Sequence, residues 1–242
     1  MIRSSPLRWG EANGTEVRVT QIHVICSQKG GVGKTTITVN LAAVVAQTLG
    51  ADPAAPPVLV ASIDPQASAV WWAERGDADQ LPFDFDQMDD RPEALLELPQ
   101  SGYEHVFVDA PGSLARPAVL ARALEVADDV VVPTAPEPLA YGPTETTVRE
   151  LVEPRNLPYR IVRNLWDRRD GHADLEALTE WLQEQKLNYA NTVVRRYKMH
   201  TNAASQGQVV TQYPNGRPAA EAKTDFLMLA LELGYGGGNG GA

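Results

Sequence analysis

Short apolar runs alternate along this chain with longer segments whose apolar residues recur at helical spacing. The short runs are rich in β-branched residues, which is typical of buried strands. They predict strands at 17–27, 58–63, 106–108, 130–133 and 159–162. The longer segments predict helices at 35–50, 67–75, 118–127, 144–152, 175–187 and 219–233. This alternation favours an α/β fold in which a mostly parallel, twisted sheet carries helices on both faces.

The alternation continues without an interdomain linker, so it predicts a single domain over residues 17–233. Residues 1–16 are expected to form a flexible leader, and the glycine-rich residues 234–242 a disordered tail. The acidic, proline-broken stretch 76–92 is expected to be a surface excursion with little regular structure.

Composition excludes several classes of protein. Hydrophobic residues make up 43% and charged residues 21% of the chain, which is ordinary for a soluble globular protein and excludes a disordered or fibrous one. We find no apolar run of about 18 residues and no signal-peptide core, so we expect a cytoplasmic protein. The single cysteine, Cys26, excludes a disulfide framework and a cysteine-built metal site.

The distribution of charge matters more than its total. The net charge of −10 argues by itself against binding to nucleic acid. However, residues 1–153 carry 10 basic and 22 acidic side chains, whereas residues 154–242 carry 11 basic and 9 acidic ones. The second part therefore leaves room for a local basic face.

A glycine-rich segment joins the first predicted strand to the first predicted helix, which is the context of a phosphate-binding loop. It reads Gln28-Lys29-Gly30-Gly31-Val32-Gly33-Lys34-Thr35-Thr36. Its glycines let backbone N–H groups turn toward one point, and the helix start adds the positive end of its dipole. Lys34 would contact the β- and γ-phosphates and Thr35 would bind Mg²⁺. The alternative, a glycine-rich turn that binds nothing, is disfavoured by the lysine and two threonines, although Gln28 replaces the usual glycine.

Lys29 places a second lysine at the rim of this loop. It could reach a nucleotide bound by a facing subunit and counter the charge on the leaving oxygen, as an arginine finger does. It could equally be a solvated surface lysine. Spacing alone leaves these two interpretations even.

Two aspartates follow predicted strands, and the carboxyl ends of parallel strands share one edge of a sheet. Asp64 could orient an attacking water or hold a metal-bound water, and it could also cap the next helix. Asp109 ends an apolar strand, which is the Walker-B arrangement for binding Mg²⁺.

Taken together, these motifs resemble the ParA family of partition ATPases, within the deviant-Walker-A group of P-loop NTPases that also includes MinD and nitrogenase iron protein. The resemblance is carried by KGGVGKTT at 29–36, DPQAS at 64–68 and VFVDAPG at 106–112. It extends through VVVPTAPEPLAYGP at 130–143, RIVRNLWDRR at 160–169 and the segment 192–233, so it covers nearly all of residues 17–233.

The resemblance implies an ATP- and Mg²⁺-dependent enzyme that hydrolyses ATP as a sandwich homodimer, each Lys29 contacting the nucleotide of the opposite subunit. It implies catalytic roles for Lys29, Lys34 and Asp64, and Mg²⁺ ligation by Thr35, Asp64 and Asp109. The loop from Lys29 to Thr36 would bind ATP, and Asn164 would contact the base.

The family also implies that the ATP-bound dimer binds DNA without sequence preference and is released when a ParB-like activator stimulates hydrolysis. The candidate DNA contacts are basic residues near the C-terminus, which can meet phosphates without reading bases. They are Arg195, Arg196, Lys198, Arg217 and Lys223. Charge alone favours a solvated basic edge here, whereas the resemblance favours DNA.

Three departures qualify this interpretation. Ser62 stands where many relatives have an aspartate, which puts the hydrolysis rate in doubt. The chain resembles the short type that lacks an N-terminal helix-turn-helix. The C-terminus has no amphipathic helix of the MinD kind, so membrane binding is not expected, and Cys26 is expected to be a buried, inert thiol.

The sequence thus predicts an ATPase for plasmid or chromosome partition that associates with the nucleoid when ATP-bound. Two alternatives remain: a related ATPase that positions a protein cargo, and a weakly hydrolysing, nucleotide-sensing DNA-binding module.

Overall fold

Residues 19–50, 52, 55–65, 68–75, 81–112, 117–214 and 216–236 are described by the computed structural model. Within these ranges, seven strands form one sheet. They are β1 (Gln21–Ile25), β2 (Val58–Ser62), β3 (Asp84–Gln87), β4 (His105–Asp109), β5 (Asp129–Thr134), β6 (Tyr159–Trp166) and β7 (Tyr189–Arg195). Their order is β3-β2-β4-β1-β5-β6-β7, and every pairing is parallel.

The helices that cover this sheet in the described ranges follow the strands in sequence. They are α1 (Lys34–Thr48), α2 (Ser68–Ala73), α3 (Pro117–Glu125), α4 (Pro138–Thr146), α5 (Ala173–Glu184), α6 (Lys198–Ser205) and α7 (Arg217–Leu233). A π-helical turn, Thr147–Val152, continues α4, and a 3₁₀ segment, Pro92–Gln100, precedes β4. None of the helices in the described parts of the chain has the length and apolar character needed to cross a bilayer.

The predicted α/β fold with a parallel sheet is confirmed. The central strands are buried on both faces, because alternate side chains of each strand enter different cores. On β4, Phe107 packs with α1 and α7, whereas Val106 and Val108 pack into the core on the opposite face. Helix α1 is buried around nearly its whole circumference, which explains its almost unbroken apolar run from Ile37 to Ala46.

The prediction for the acidic stretch 76–92 was wrong over its described part. Residues 84–87 form the edge strand β3 because Phe83 and Phe85 are buried against the core. The two acidic residues of this strand have partners. The Tyr103 hydroxyl donates to Asp84 at 2.7 Å, and Arg91 donates to Asp86 at 2.6 Å.

Two further elements are absent from the prediction, the opposite edge strand β7 and the short helix α6. Residues 1–18 and 237–242, which hold the predicted leader and most of the predicted tail, lie outside the described residues. Tyr235, which the sequence places in the tail, is buried at the amino ends of the strands, next to the end of α7.

Tyr235 completes a buried polar chain on β1, β4 and β5. Its hydroxyl donates to Asp129 Oδ1 at 2.6 Å, and Asp129 Oδ2 lies 2.9 Å from Nδ1 of His23. Nε2 of His23 lies 2.9 Å from Nδ1 of His105. Burial lowers the pKa of His105 to about 4, so this imidazole is neutral in the folded protein near pH 7. This row of hydrogen bonds satisfies polar groups that the sheet would otherwise bury without partners.

The burial of two histidines predicts that the folded protein loses stability in mild acid. Burial lowers the pKa values of both His105 and His200 from 6.5 to about 4. At pH values between these two, the unfolded chain therefore binds more protons than the folded one. We expect the free energy of unfolding in urea to fall as pH drops from 6.5 to 4, by at most about 3 kcal/mol per histidine.

The variant His200→Phe provides the comparison. It should reduce the pH slope in this window, while the loss of the contact with the Tyr213 hydroxyl lowers stability equally at every pH. An unchanged slope in the variant would contradict the assignment to His200.

Candidate nucleotide-binding site

A cavity of about 650 Å³ opens at the carboxyl edge of the sheet. The loop after β1 contributes Gly30, Lys34 and Thr35, the end of β2 leads to Asp64, and the loop after β4 contributes Gly112. The structure therefore brings together the three motifs that the sequence singled out, at the edge where α/β sheets bind ligands.

The loop after β1 folds around glycines with left-handed backbones. Gly31 has a φ of 77° and Gly33 a φ of 85°, values that favour glycine because it lacks a Cβ. Gly33 is also the N-cap of α1, and no side chain caps this helix. The first N–H groups of α1 are thus left for an anion, as in other phosphate-binding helix starts.

Lys34 begins α1 and is buried at the base of the cavity. Its Nζ donates to the carbonyl oxygen of Lys29 at 3.3 Å. Burial lowers its pKa, and the charges of Asp109 and Asp64 oppose that shift. A buried ammonium group that donates to a neutral carbonyl gains from an anionic partner, which phosphate oxygens would supply.

Asp109, at the end of β4, is fully buried and holds the start of α1. Thr35 Oγ1 donates to Asp109 Oδ2 at 2.8 Å, and Thr38 Oγ1 donates to Oδ1 at 3.3 Å. Burial raises the pKa of Asp109 to about 7, and the nearby Asp64 charge adds to the shift. Ionised Asp109 would therefore be stabilised by a cation.

The side-chain oxygen atoms at this position fit Mg²⁺ as ligands. This ion prefers oxygen ligands and usually binds through one or two protein groups together with phosphates. Thr35 and Asp109 are in direct contact, and Asp64 borders the same cavity. Among the described residues, no cluster of three or more His, Cys, Asp or Glu side chains could hold a metal by itself.

Ser62, the departure noted in the sequence, lies directly beside Asp109. The two residues are in register on the neighbouring strands β2 and β4. The Ser62 hydroxyl is buried and has no hydrogen-bond partner within the described part of the chain. An aspartate here would place another carboxylate against the buried Asp109, so the serine reduces negative charge at this point.

Asn164, on β6, forms a hydrogen bond with the phosphate-binding loop. Its Nδ2 donates to the carbonyl oxygen of Val32 at 2.7 Å, and a Cβ on Gly33 would lie 2.4 Å from the same atom. The side chain is buried. Nδ2 of Asn164 therefore contacts the loop in this arrangement, and the contact with a nucleotide base that the resemblance implies stays a prediction.

Lys29 is half-buried and does not line the cavity in this arrangement. Its backbone N–H donates to Ser27 Oγ at 3.4 Å. A position outside the cavity is compatible with a contact to a second subunit and with a solvated lysine. The role of Lys29 across a subunit interface stays a prediction.

Two aromatic side chains also line the cavity, and the sequence analysis did not identify them. Trp71 and Trp72, both on α2, line the cavity together with Ala204 of α6. The usable signal was a pair of adjacent tryptophans shortly after the DPQ motif. Neighbouring residues of a helix point in different directions, so both tryptophans cannot be buried on the same helix face.

The structure separates the predicted DNA contacts into one arginine that is held by carboxylates inside the protein and others that remain at the surface. Arg195 is only 13% exposed, and its guanidinium donates to both carboxylate oxygens of Asp225 and to Glu221, both on α7. It ties β7 to α7, and the expectation that it contacts DNA does not fit these surroundings.

The other basic residues remain at the surface. Arg196 and Lys198 are exposed, and Lys223 is partly exposed. Arg217 is 84% exposed and pairs with Glu221 at 2.8 Å. Arg168, which the sequence analysis did not include, approaches the same carboxylate at 3.5 Å.

Comparisons with known proteins agree with this arrangement. A family model described as the CobQ/CobB/MinD/ParA nucleotide binding domain matches residues 23–210. The chain is 38% identical over 214 residues to Maintenance of carboxysome distribution protein A of Gloeobacter kilaueensis, covering 88% of this chain and 94% of that protein. It is 31% identical over 245 residues to the chromosome-partitioning ATPase Soj of Thermus thermophilus, covering 86% and 93%.

A solved structure of a McdA–ATP complex from Cyanothece has a similar fold. It superposes with a TM-score of 0.66 at 15% identity and covers 89% of this chain and 96% of that one. The match of the family model includes the residues that line the cavity, from Gly30 to Ala204.

Gly112 offers a test of the cavity. A Cβ at this position would lie 2.8 Å from Lys34 Nζ and 3.2 Å from Gly30 Cα. We expect Gly112→Ala to weaken the binding of Mg-ATP at least about tenfold in calorimetry, because the lysine and the loop must both shift.

Gly142→Ala is the matched control, since a Cβ there meets nothing within 4 Å. This variant should bind like the parent chain and be at least as stable, because alanine favours a helix. Equal affinities for the two variants would argue against a nucleotide in this cavity.

Proposed function

The chain belongs to the CobQ/CobB/MinD/ParA nucleotide-binding family, and we propose that it is an ATPase of the ParA/MinD type that positions a protein cargo. The observation that carries this proposal is the 38% identity to a protein named for carboxysome distribution, over 94% of that protein's length. The sequence analysis placed DNA partition first and a protein cargo second. The comparisons reverse that order, because the identity to chromosome-partitioning Soj is 31%.

In this proposal the nucleotide is ATP, held by the loop after β1. The N–H groups at the start of α1 and the ammonium of Lys34 contact its phosphates. Thr35 and Asp109 hold Mg²⁺, which neutralises phosphate charge when it is bound. The buried setting of Lys34 supports this role, because a low-dielectric site strengthens the attraction between the ammonium and phosphate oxygens.

Asp64 is the proposed hydrolytic residue. It is buried, lies two residues after the end of β2 and lines the same cavity as Thr35. A carboxylate in this position can accept a hydrogen bond from a water molecule and align it with the terminal phosphate. Asp64 thereby completes a site in which positioning and electrostatics, rather than covalent chemistry, lower the barrier to hydrolysis.

Two copies of the chain are proposed to close over the nucleotides, and Lys29 then reaches the phosphates of the opposite copy. Its place on the rim of the loop, outside the cavity of its own chain, is compatible with this arrangement. Hydrolysis would be slow until the dimer forms, and an activator protein associated with the cargo would accelerate it. A cytoplasmic location, with attachment to the nucleoid in the ATP-bound state, belongs to the same proposal.

Attachment to DNA would use the exposed basic residues around Glu221. Arg196, Lys198, Arg217 and Lys223 remain in this set, and Arg168 joins it. Each contact would be weak and sensitive to salt, because such contacts neutralise phosphates without reading bases.

The role of Lys29 is tested by Lys29→Gln, with Lys186→Gln as control. Lys186 lies between α5 and β7, at the amino ends of the strands, away from the cavity. We expect Lys29→Gln to lower ATP turnover at least about 100-fold, as the loss of an arginine finger does, and to abolish ATP-dependent dimerisation in sedimentation experiments. Monomer affinity for ATP should change little. Turnover and dimerisation equal to those of Lys186→Gln would refute this role.

The DNA surface is tested by the double variant Arg196→Glu and Lys198→Glu. We expect retention on non-specific duplex DNA at low salt to fall at least about tenfold while ATP binding is unchanged. The control Arg155→Glu changes an exposed arginine outside the proposed surface. Equal retention by the double variant and this control would remove DNA from the proposal, leaving the ATPase intact.

A further inference from the structure

Thr147 connects the helical segment after β5 to the start of the phosphate-binding loop. It begins the π-helical turn Thr147–Val152, and its side chain is fully buried. Its Oγ1 accepts a hydrogen bond at 3.0 Å from the backbone N–H of Gln28, which lies 119 positions earlier in the chain. Gln28 directly precedes Lys29, so this contact reaches the rim of the loop from a different part of the fold.

A second hydrogen bond fixes the direction of the first. The Thr147 hydroxyl donates its single proton to the carbonyl oxygen of Pro143 at 2.7 Å, so its oxygen is left to accept from Gln28. The backbone N–H of Thr147 donates to the same carbonyl oxygen, which holds the residue at the start of the turn. Single π-helical turns are rare and frequently occur at functional sites.

The backbone around Lys29 is held at three consecutive peptide groups. The N–H of Gln28 donates to Thr147 at 3.0 Å. The N–H of Lys29 donates to Ser27 Oγ at 3.4 Å, and the carbonyl oxygen of Lys29 accepts from Lys34 Nζ at 3.3 Å. The bond to Thr147 is the shortest of these three, and its acceptor lies outside both the loop and α1.

A bound nucleotide would make the contact with Thr147 more important. In the proposed site the phosphates compete with the Lys29 carbonyl oxygen for the N–H donors of Lys34, because charged acceptors form the stronger hydrogen bonds. The phosphates use N–H groups at the start of α1, and the N–H of Gln28 is not among these. The bond between Gln28 and Thr147 therefore stays in place while the bond from Lys34 weakens.

We propose that Thr147 is a positioning residue for Lys29. Its hydroxyl fixes the backbone from which the Lys29 side chain extends toward the nucleotide of the opposite copy. The inference rests on the proposed function, in which Lys29 acts across the dimer. Loss of the hydroxyl then affects dimerisation and turnover, which need Lys29, more than ATP binding by a single copy, which depends on Lys34 and α1.

The test is Thr147→Val, because valine keeps the branched shape and removes the hydrogen-bond acceptor. We expect ATP turnover and ATP-dependent association in sedimentation experiments each to weaken about tenfold, since one buried hydrogen bond is lost. The affinity of a single copy for Mg-ATP, measured by calorimetry, should change less than about twofold. Thr147→Ser should recover most of the turnover, because serine keeps the hydroxyl.

The matched control is Thr144→Val. Thr144 is also fully buried, and its hydroxyl also donates to the carbonyl oxygen four residues earlier, that of Ala140, at 2.8 Å. It lies 2.8 Å from Thr134 Oγ1 at the end of β5, whereas Thr147 contacts the phosphate-binding loop. We expect this variant to hydrolyse ATP within about twofold of the parent chain. Equal losses in Thr144→Val and Thr147→Val would overturn the proposal.

A double variant tests the coupling to Lys29. In single-turnover experiments, adding Thr147→Val to Lys29→Gln should lower the residual rate less than about twofold, because both changes remove the same contribution. A further loss of about tenfold would overturn the proposal, and so would an equal loss of turnover and Mg-ATP affinity in Thr147→Val alone. Should Thr147→Val not fold, Thr147→Ala removes the same acceptor and replaces it in every comparison.

The same measurements separate this inference from the proposed function. Parent-like turnover in Thr147→Val, together with a large loss in Lys29→Gln, would overturn the role of Thr147 and leave the proposed function standing. Parent-like turnover in Lys29→Gln would contradict the proposed role of Lys29, and the positioning role of Thr147 with it.

Discussion

The hydrogen bond between Thr35 and the fully buried Asp109 is the contact on which the arrangement of this site depends. It joins the first turn of α1 to the end of β4, so the phosphate-binding loop and the neighbouring strand have a fixed relation. The carboxyl group of Asp109 is fully buried, and this burial raises its pKa to about 7, although the hydrogen bond from Thr35 opposes the shift. A site built on such a group is ready for a cation and stabilises one strongly, because the low-dielectric surroundings strengthen the attraction.

Much of the fold and the phosphate-binding loop could be predicted from the sequence, because their signals are local. Glycine spacing, a following lysine and apolar runs specify a strand, a turn and a buried helix without reference to distant residues. Edge strands lack this advantage. Strand β3 reads DFDQ, with one buried aromatic residue among polar ones, and β7 has only two buried positions among its seven residues. Both acquire their structure from pairing with a neighbour, which no short window of sequence reveals.

The basic residues near the C-terminus show the same limit for electrostatics. Arg195 and Arg196 are adjacent in sequence, yet one is bound by Asp225 on α7 and the other is exposed. A count of charges along the chain cannot separate them, because the deciding carboxylate lies 30 residues away. Asn164 is a similar case. The family resemblance implies that it contacts a base, and the structure adds a hydrogen bond from its amide to the phosphate-binding loop, which the sequence did not predict.

Gly112 and Gly30 belong to different loops, and the space between them would not admit a single methyl group without displacement. Two segments in such close contact cannot shift independently. In the proposed ATPase, relaxation of the loop after β1 on loss of the terminal phosphate would therefore press on the loop after β4, so the two strands that lead into these loops would respond to the ligand together.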